Sequence, residues 1–143
     1  MACVFCEIVA GRIAGAKVYE DAQVLAFLDH APLFPGHVLL VPKAHHETLP
    51  DLPPELVQPL FAVAQRLASA VVAALGCEGT FVAMNNRVSQ SVPHLHVHIV
   101  PRRKRDGLKG FFWPRHPYRD DAHREQVRAA IAASASRPTA MPG

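Results

Sequence analysis

The segment His94-Leu95-His96-Val97-His98-Ile99-Val100 constrains this chain more than any other. Imidazole and aliphatic side chains alternate with period two, the mark of a β-strand whose faces differ in chemistry. Leu95, Val97 and Ile99 form the core side of such a strand. His94, His96 and His98 project from the other side, each roughly 7 Å from the next. Few folds need imidazoles at three successive positions of one strand face, so that face reads as a chemical site.

A chain of 143 residues fits one ordinary domain whose core needs no disulfide staples. The expected layout is a single domain over residues 1–133 and a flexible tail over 134–143. Apolar residues come in short segments broken by Pro and Gly, and none is expected to approach the roughly 20 residues of a membrane span. The start MACVFCEIV lacks the basic-then-apolar layout of a signal peptide. Cys3, Cys6 and Cys77 are an odd set that suits a reducing compartment. The expectation is a cytoplasmic protein with no membrane partner.

The formal charge of +3 is modest but unevenly placed. Arg102, Arg103, Lys104 and Arg105 follow the histidine strand, with Lys109 and Arg115 soon after. Each alone reads as a solvated loop charge; as a group they suit attraction of a polyanionic substrate. No nucleic-acid-binding motif accompanies them, so specific nucleic-acid binding is not expected.

Strands are expected at Lys17–Glu20, Val24–Asp29, His37–Pro42, Thr80–Met84 and Ser91–Val100, after a short turn or helix at Phe5–Ala10. Between the third and fourth the period changes. Leu56, Leu60, Ala64, Leu67, Val71 and Leu75 recur at helical spacing up to Gly76, a natural C-cap. Pro53 and Pro54 suit a helix start, whereas Pro59 does not suit an interior, so the regular helix is expected to begin near Gln58. Asp120–Ala133, with Val127 and Ile131 on one face, reads as a second helix. The fold class is therefore α+β: a five-stranded antiparallel sheet with one long helix packed on it, plus a C-terminal helix. The long helix takes one face of the sheet and leaves the other to a ligand.

Together these segments resemble the histidine triad (HIT) superfamily of nucleotide hydrolases and transferases, in its bacterial branch with an N-terminal CxxC. His94–Val100 matches the signature of alternating histidine and apolar residues. Cys3–Gly11, Val18–Asp21, Ala26–Asp29, Pro35-Gly36-His37 and Val41–His45 sit where that family has equivalents, so the resemblance spans about residues 3–102.

The resemblance implies a nucleotide hydrolase that removes a substituent from the α-phosphate of a purine nucleotide derivative. His96 is the implied nucleophile, forming a covalent nucleotidyl-histidine from which water releases the nucleoside monophosphate. An imidazole, with an ordinary pKa near 6.5, is largely neutral and nucleophilic near pH 7. Passing through a phosphoramidate splits one difficult displacement into two easier ones. His98 is implied to bind phosphate or leaving-group oxygens, with His94 completing the catalytic triad. Gln90 and Ser91 are implied to line the approach, and one of Asn85 and Asn86 to complete a polar cradle. Without the resemblance, Asn85 and Asn86 read equally as loop residues satisfying turn backbone.

Asp29 is implied to accept from ribose hydroxyls, and Phe5, Ile8, Leu28 and Leu39 to contact the base; alone, these apolar residues read as core. His37 takes the place of an active-site histidine behind the nucleophile. One departure stands out. The family's loop between its asparagine and glutamine is longer and contains glycine, whereas here only Arg87-Val88-Ser89 separates Asn86 from Gln90. That change reshapes the leaving-group side.

Cys3-x-x-Cys6 is, on its own residues, a redox pair, two buried thiols or half of a zinc site. The resemblance implies structural zinc held by Cys3, Cys6, His45 and His94, with His46 as an alternative to His45. That zinc is not needed for the chemical step. The resemblance also implies a homodimer. Lys109–Arg115, around Trp113, reads as a dimer interface, a lid on the site or a cover for the domain's own core. Cys77 reads as structural, and His30, His116 and His123 as surface histidines. Rival functions are nucleotidyl transfer through the same intermediate, a nucleotide-binding adaptor with little turnover, and a metal-binding structural protein. The last leaves Asp29, Gln90 and Ser91 without roles.

Overall fold

The computed structural model describes residues 3–109 and 114–136. They fall in two compact units, Met1–Asp106 and Gly107–Gly143. The first unit contains α1 (Val4–Val9), β1 (Lys17–Glu20), β2 (Val24–Leu28), β3 (Val38–Pro42), α2 (Pro54–Leu75), β4 (Gly79–Ala83) and β5 (Val97–Arg102). A single 3-10 turn at Leu49–Asp51 leads into α2. All neighbouring strands are antiparallel, in the order β1-β2-β3-β5-β4. The chain thus reaches the sheet edge as β4 before it returns as β5 to the gap beside β3. The expected five-stranded antiparallel sheet with one long helix is present.

The two faces of this sheet explain why β2 and β3 are continuously apolar. Val24 and Ala26 of β2 and Val38 and Leu40 of β3 join Val97 and Ile99 under α2. Leu25 and Phe27, with Leu39 and Val41, point to the opposite face and form a second core with Phe5 and Ile8 of α1. Strands buried on both sides lose the polar half of their alternation. The histidine face of β5 is therefore not bare; it shares its side of the sheet with a short helix.

The starts of two elements differ most from expectation. The paired part of β5 starts at Val97, not Ser91. Pro93 offers no N–H to a ladder, Leu95 N–H donates to His46 O (2.7 Å), and the His94 carbonyl accepts from a side chain instead. α2 begins at Pro54 rather than near Gln58, with Pro53 as its N-cap and Pro59 inside it. Pro59 leaves only the Glu55 carbonyl without its helical donor, and Glu55 is exposed to water. α2 ends as expected, with Gly76 left-handed at φ 64° and its N–H on Val72 O.

Contrary to the reading of short apolar segments, α2 is long and apolar enough to cross a membrane by length and composition. Its Leu60, Val63, Ala64, Leu67 and Val71 are instead buried against the sheet.

In the second unit, α3 (Asp121–Ala135) runs two residues beyond the expected Ala133 and buries none of its side chains. Asp120 caps it by accepting from His123 N (2.7 Å). The expected tail begins inside this helix at Ser134; residues 137–143 lie outside the described residues, as do Phe111, Phe112 and Trp113.

Candidate active site

His94, His96 and His98 enter the face that α1 covers, and main-chain oxygens decide what their rings can do. His94 is wholly buried. Its Nε2 lies 2.8 Å from the Pro42 carbonyl, which only accepts, so Nε2 carries the proton and Nδ1 keeps a lone pair. His96, 4 % exposed, places Nδ1 2.8 Å from the His94 carbonyl. By the same logic Nδ1 carries a proton, which leaves Nε2 as the only ring nitrogen that can offer a lone pair. The Phe5 ring packs edge-on against it at 5.1 Å.

His98 belongs to a relay. Leu33 N–H donates to His37 Nδ1 (3.1 Å), so His37 must hold its proton on Nε2. That Nε2 lies 2.9 Å from His98 Nδ1. His98 Nδ1 therefore accepts, and its Nε2–H is left as an outward donor. Burial, followed by repulsion from His96 and His37, pushes the His98 pKa down to about 4. Burial also lowers that of His37, against the pull of Asp29. Both rings are thus neutral near pH 7 and the relay keeps its direction.

Asp29 stands at the end of this relay, with Oδ2 3.7 Å from His37 Nδ1 and Oδ1 accepting from Ala31 N. Asp29, His37 and His98 present donor atoms close enough together for a cation. Their ring nitrogens facing one another are already engaged by Leu33 N–H and by the His37–His98 bond.

These groups open into a cavity of about 610 Å³, within the usual size range of ligand pockets. Phe5, Ile8, Leu28 and Leu39 line it as expected, as do Asp29, Ser91, His96 and His98. Sequence reading missed Val4, Ile13, Ala14, Gly15, Ala16, Phe27 and Val92, and took His30, which is also in the lining, for surface alone. Phe27 alone carried a signal, being two residues before Asp29 on a strand with period two. Gly15 is packed closely: a Cβ there would come within 2.9 Å of Ile8 Cγ2.

Asn85, Asn86 and Gln90 are elsewhere employed. Asn85 Nδ2 donates to Ser89 O (3.2 Å), and Asn86 Oδ1 accepts from Leu49 N (2.8 Å). Gln90 accepts from Arg87 N (2.8 Å) and donates to Glu47 O (2.6 Å). Their amides hold the loop in shape and do not line the cavity.

Three of the four basic residues from Arg102 to Arg105 are likewise engaged. Arg102 grips Asp106, Arg103 caps α2 through the Leu75 and Gly76 carbonyls, and Lys104 pairs with Glu78. Arg103 also lies seven residues from His96, on the order of 20 Å along an extended chain. The expected attraction of a polyanion to this site has no support from these three residues.

Beyond His94, Cys3, Cys6 and His45 complete a cluster whose ligand atoms all lie within 4.8 Å of one another. Cys3 Sγ and Cys6 Sγ are 3.4 and 3.5 Å from His94 Nδ1, and Cys6 Sγ is 3.3 Å from His45 Nδ1. In tetrahedral zinc with ordinary bond lengths, sulfur and nitrogen ligands stand roughly 3.6 Å apart. His94 Nδ1 also holds the lone pair such a bond needs, so the donors fit zinc. His46 is outside the cluster; its carbonyl instead pairs with Leu95 N–H. Burial, and next the adjacent Cys3 sulfur, push the Cys6 thiol up, a penalty that a bound cation reverses.

Three alternating histidines leading into β5, two of them lining a ligand-sized cavity and the first in a Cys/His cluster, define a histidine triad protein. The HIT domain family model matches residues 10–105, and the chain belongs to that family. It is 38 % identical to an adenosine 5′-monophosphoramidase of Schizosaccharomyces pombe, over 82 % of this chain and 86 % of that protein. It is 39 % identical to an adenylylsulfatase of Arabidopsis thaliana, over 74 % of this chain but 55 % of the longer relative. Among solved structures, a HIT family member from Bacillus subtilis superposes with a TM-score of 0.86 at 33 % identity, covering 96 % of this chain and all of that one. A zinc-bound histidine triad protein from Mycobacterium smegmatis gives 0.72 at 41 % identity, covering 95 % and 97 %.

Proposed function

We propose that the protein is a nucleotide hydrolase that cleaves a substituent from the α-phosphate of an adenylyl derivative through a nucleotidyl-histidine. The observation that carries this reading is the His96 hydrogen bond, with Nδ1–H on the His94 carbonyl and Nε2 left as the only ring nitrogen that can offer a lone pair. As the Nε2–P bond forms, the bond from phosphorus to the leaving group breaks and its electron pair departs with that group. Water then adds to phosphorus and gives up a proton to solvent, the N–P bond breaks, and its pair returns to Nε2. His98 Nε2–H serves as a preplaced donor to a phosphoryl oxygen, kept in that form by His37. His94 acts through its carbonyl and is a positioning residue. Asp29 takes the ribose hydroxyls, and Phe5, Ile8, Leu28 and Leu39 take the base. The activities named for the two relatives support an adenylyl group.

Structural zinc belongs to this reading, held by Cys3, Cys6, His45 and His94. It supplies rigidity at His94 and takes no part in the displacement. The zinc-bound relative and the donor spacing support it. The test of the chemistry is acid-free mass spectrometry of the protein quenched during turnover. An added adenylyl mass on the His96 peptide is expected. Turnover unaltered in His96→Ala would overturn the covalent route.

A further inference from the structure

Arg87 is the cation that the first unit leaves uncommitted near its catalytic end. Arg12 pairs with Glu7, Lys17 and Lys43 with Glu20, and Arg66 lies over Tyr19. Arg102, Arg103 and Lys104 are engaged at the far end of β5. Among the described residues the Arg87 guanidinium has no partner; only its backbone N–H is bonded, to Gln90. Arg105 is also uncommitted, but it follows that distant run. The cavity itself is lined by no lysine or arginine, although any nucleotide brings it negative charge.

The loop holds Arg87 in a costly shape. Arg87 and Ser89 both adopt left-handed backbone, at φ 70° and 59°, a region that favours glycine. Side chains on both flanks fix it there: Asn85 on Ser89 O, Gln90 between Arg87 N and Glu47 O, and Asn86 on Leu49 N. Gln90, implied to line the approach, and both asparagines, one of which was implied to complete the cradle, are thus spent on this turn. Strain that several side chains enforce marks a place where position matters.

The direction of the loop follows from its anchors. Along the extended segment His94 and His98 lie on opposite sides of His96. Asp29 is on the His98 side, through His37. The loop is on the His94 side, bound to residues 47–49, just after His45 and His46. Ser91, one residue past Gln90, lines the cavity beside His96. A nucleotide whose ribose meets Asp29 and whose phosphorus meets His96 therefore extends its leaving group toward Ser91 and the loop.

We propose that Arg87 is a specificity-determining residue that selects leaving groups carrying a tetrahedral oxyanion, sulfate or phosphate, over neutral amines. This inference rests on the hydrolase reading. When the bond from phosphorus to the bridging oxygen breaks, the electron pair stays on that oxygen and the group departs as an anion. It needs no proton, and a guanidinium fork beside it neutralises the added charge. An amine gains nothing from that fork and must collect a proton to leave.

The test uses the full chain and two kinds of measurement. Arg87→Ala keeps a Cβ at the left-handed position and removes the guanidinium with its stem, Arg87→Lys restores charge without the fork, and Arg87→Gly relaxes the backbone. Titration calorimetry compares ADP, whose β-phosphate extends on the leaving-group side, with AMP. Arg87→Ala is expected to erase most of a preference for ADP of about 10-fold or more, and added salt to shrink it in the wild type. In turnover, kcat/KM for adenosine 5′-phosphosulfate falls by about 10-fold or more in Arg87→Ala, while that for adenosine 5′-phosphoramidate is little changed. Arg87→Lys lies between, and Arg87→Gly behaves as Arg87→Ala. An ADP-to-AMP ratio untouched by Arg87→Ala, or an equal fall for both substrates, overturns the proposal. Failure of the hydrolase reading shows separately, as absent turnover of both substrates, and the binding ratio still decides the role of Arg87.

Discussion

His96 lines the cavity, and a peptide carbonyl occupies its Nδ1, which leaves Nε2 for the proposed nucleophilic role. Replacing it with alanine is expected to abolish turnover, by a factor of 10³ or more on the order seen for lost nucleophiles, while calorimetry still detects AMP. The neighbouring relay predicts a pH dependence of stability. A histidine in an unfolded chain titrates near 6.5, whereas folded His98 is held to about 4. Between those values the unfolded chain binds a proton that the folded chain refuses, so stability is full above pH 6.5 and falls on acidification. His37 adds in the same direction, with Asp29 opposing. Urea midpoints should drop from pH 7 to pH 5, and less steeply in His98→Asn; a flat wild-type profile contradicts the relay. The triad itself was legible because period two announces one strand face. The employment of Asn85, Asn86 and Gln90 was not, since an amide that holds a turn and one that holds phosphate look alike in sequence.

Turns set the relay's geometry, and two glycines show how differently one substitution acts. Gly76 is left-handed at the end of α2 with open space around its missing Cβ, so Gly76→Ala should cost about 1 kcal/mol from backbone conformation alone. Gly36, at φ 99°, precedes His37, and a Cβ there would lie within 2.3 Å of Leu75 Cδ1. Gly36→Ala should cost more than about 2 kcal/mol, combining overpacking with strain, and lower kcat through His37. Chemical denaturation of both variants checks the ordering. Elements with a repeating pattern were legible, β3 and α2 above all. The start of α2 is not legible, because Pro59 falls early enough that only one exposed carbonyl loses its donor. β5 was read too long because alternation persists through His94-Leu95-His96, although their backbone bonds go to His46 and to a side chain.

The insertion of β5 between β3 and β4 was beyond any local pattern, because it depends on which edge is free when the chain returns. That topology leaves β4 at the sheet edge with Val82 exposed, and α2 presents Val57 and Phe61 to solvent. These surfaces suit the homodimer implied by the family, so light scattering should give twice the chain mass, reduced to one chain by Phe61→Glu with Val82→Glu; a monomeric wild type excludes it. Elemental analysis should find about one zinc per chain, and chelation should lower Tm; an unchanged Tm after complete removal would rule out a structural metal. α1 connects these matters. Six residues long, it follows Cys3, carries Cys6, and supplies Phe5 and Ile8 to the cavity wall. A protease that trims the chain before Val9 would therefore remove two of the four proposed metal ligands and one wall of the cavity in a single cut. Affinity tags for this protein belong at its other end.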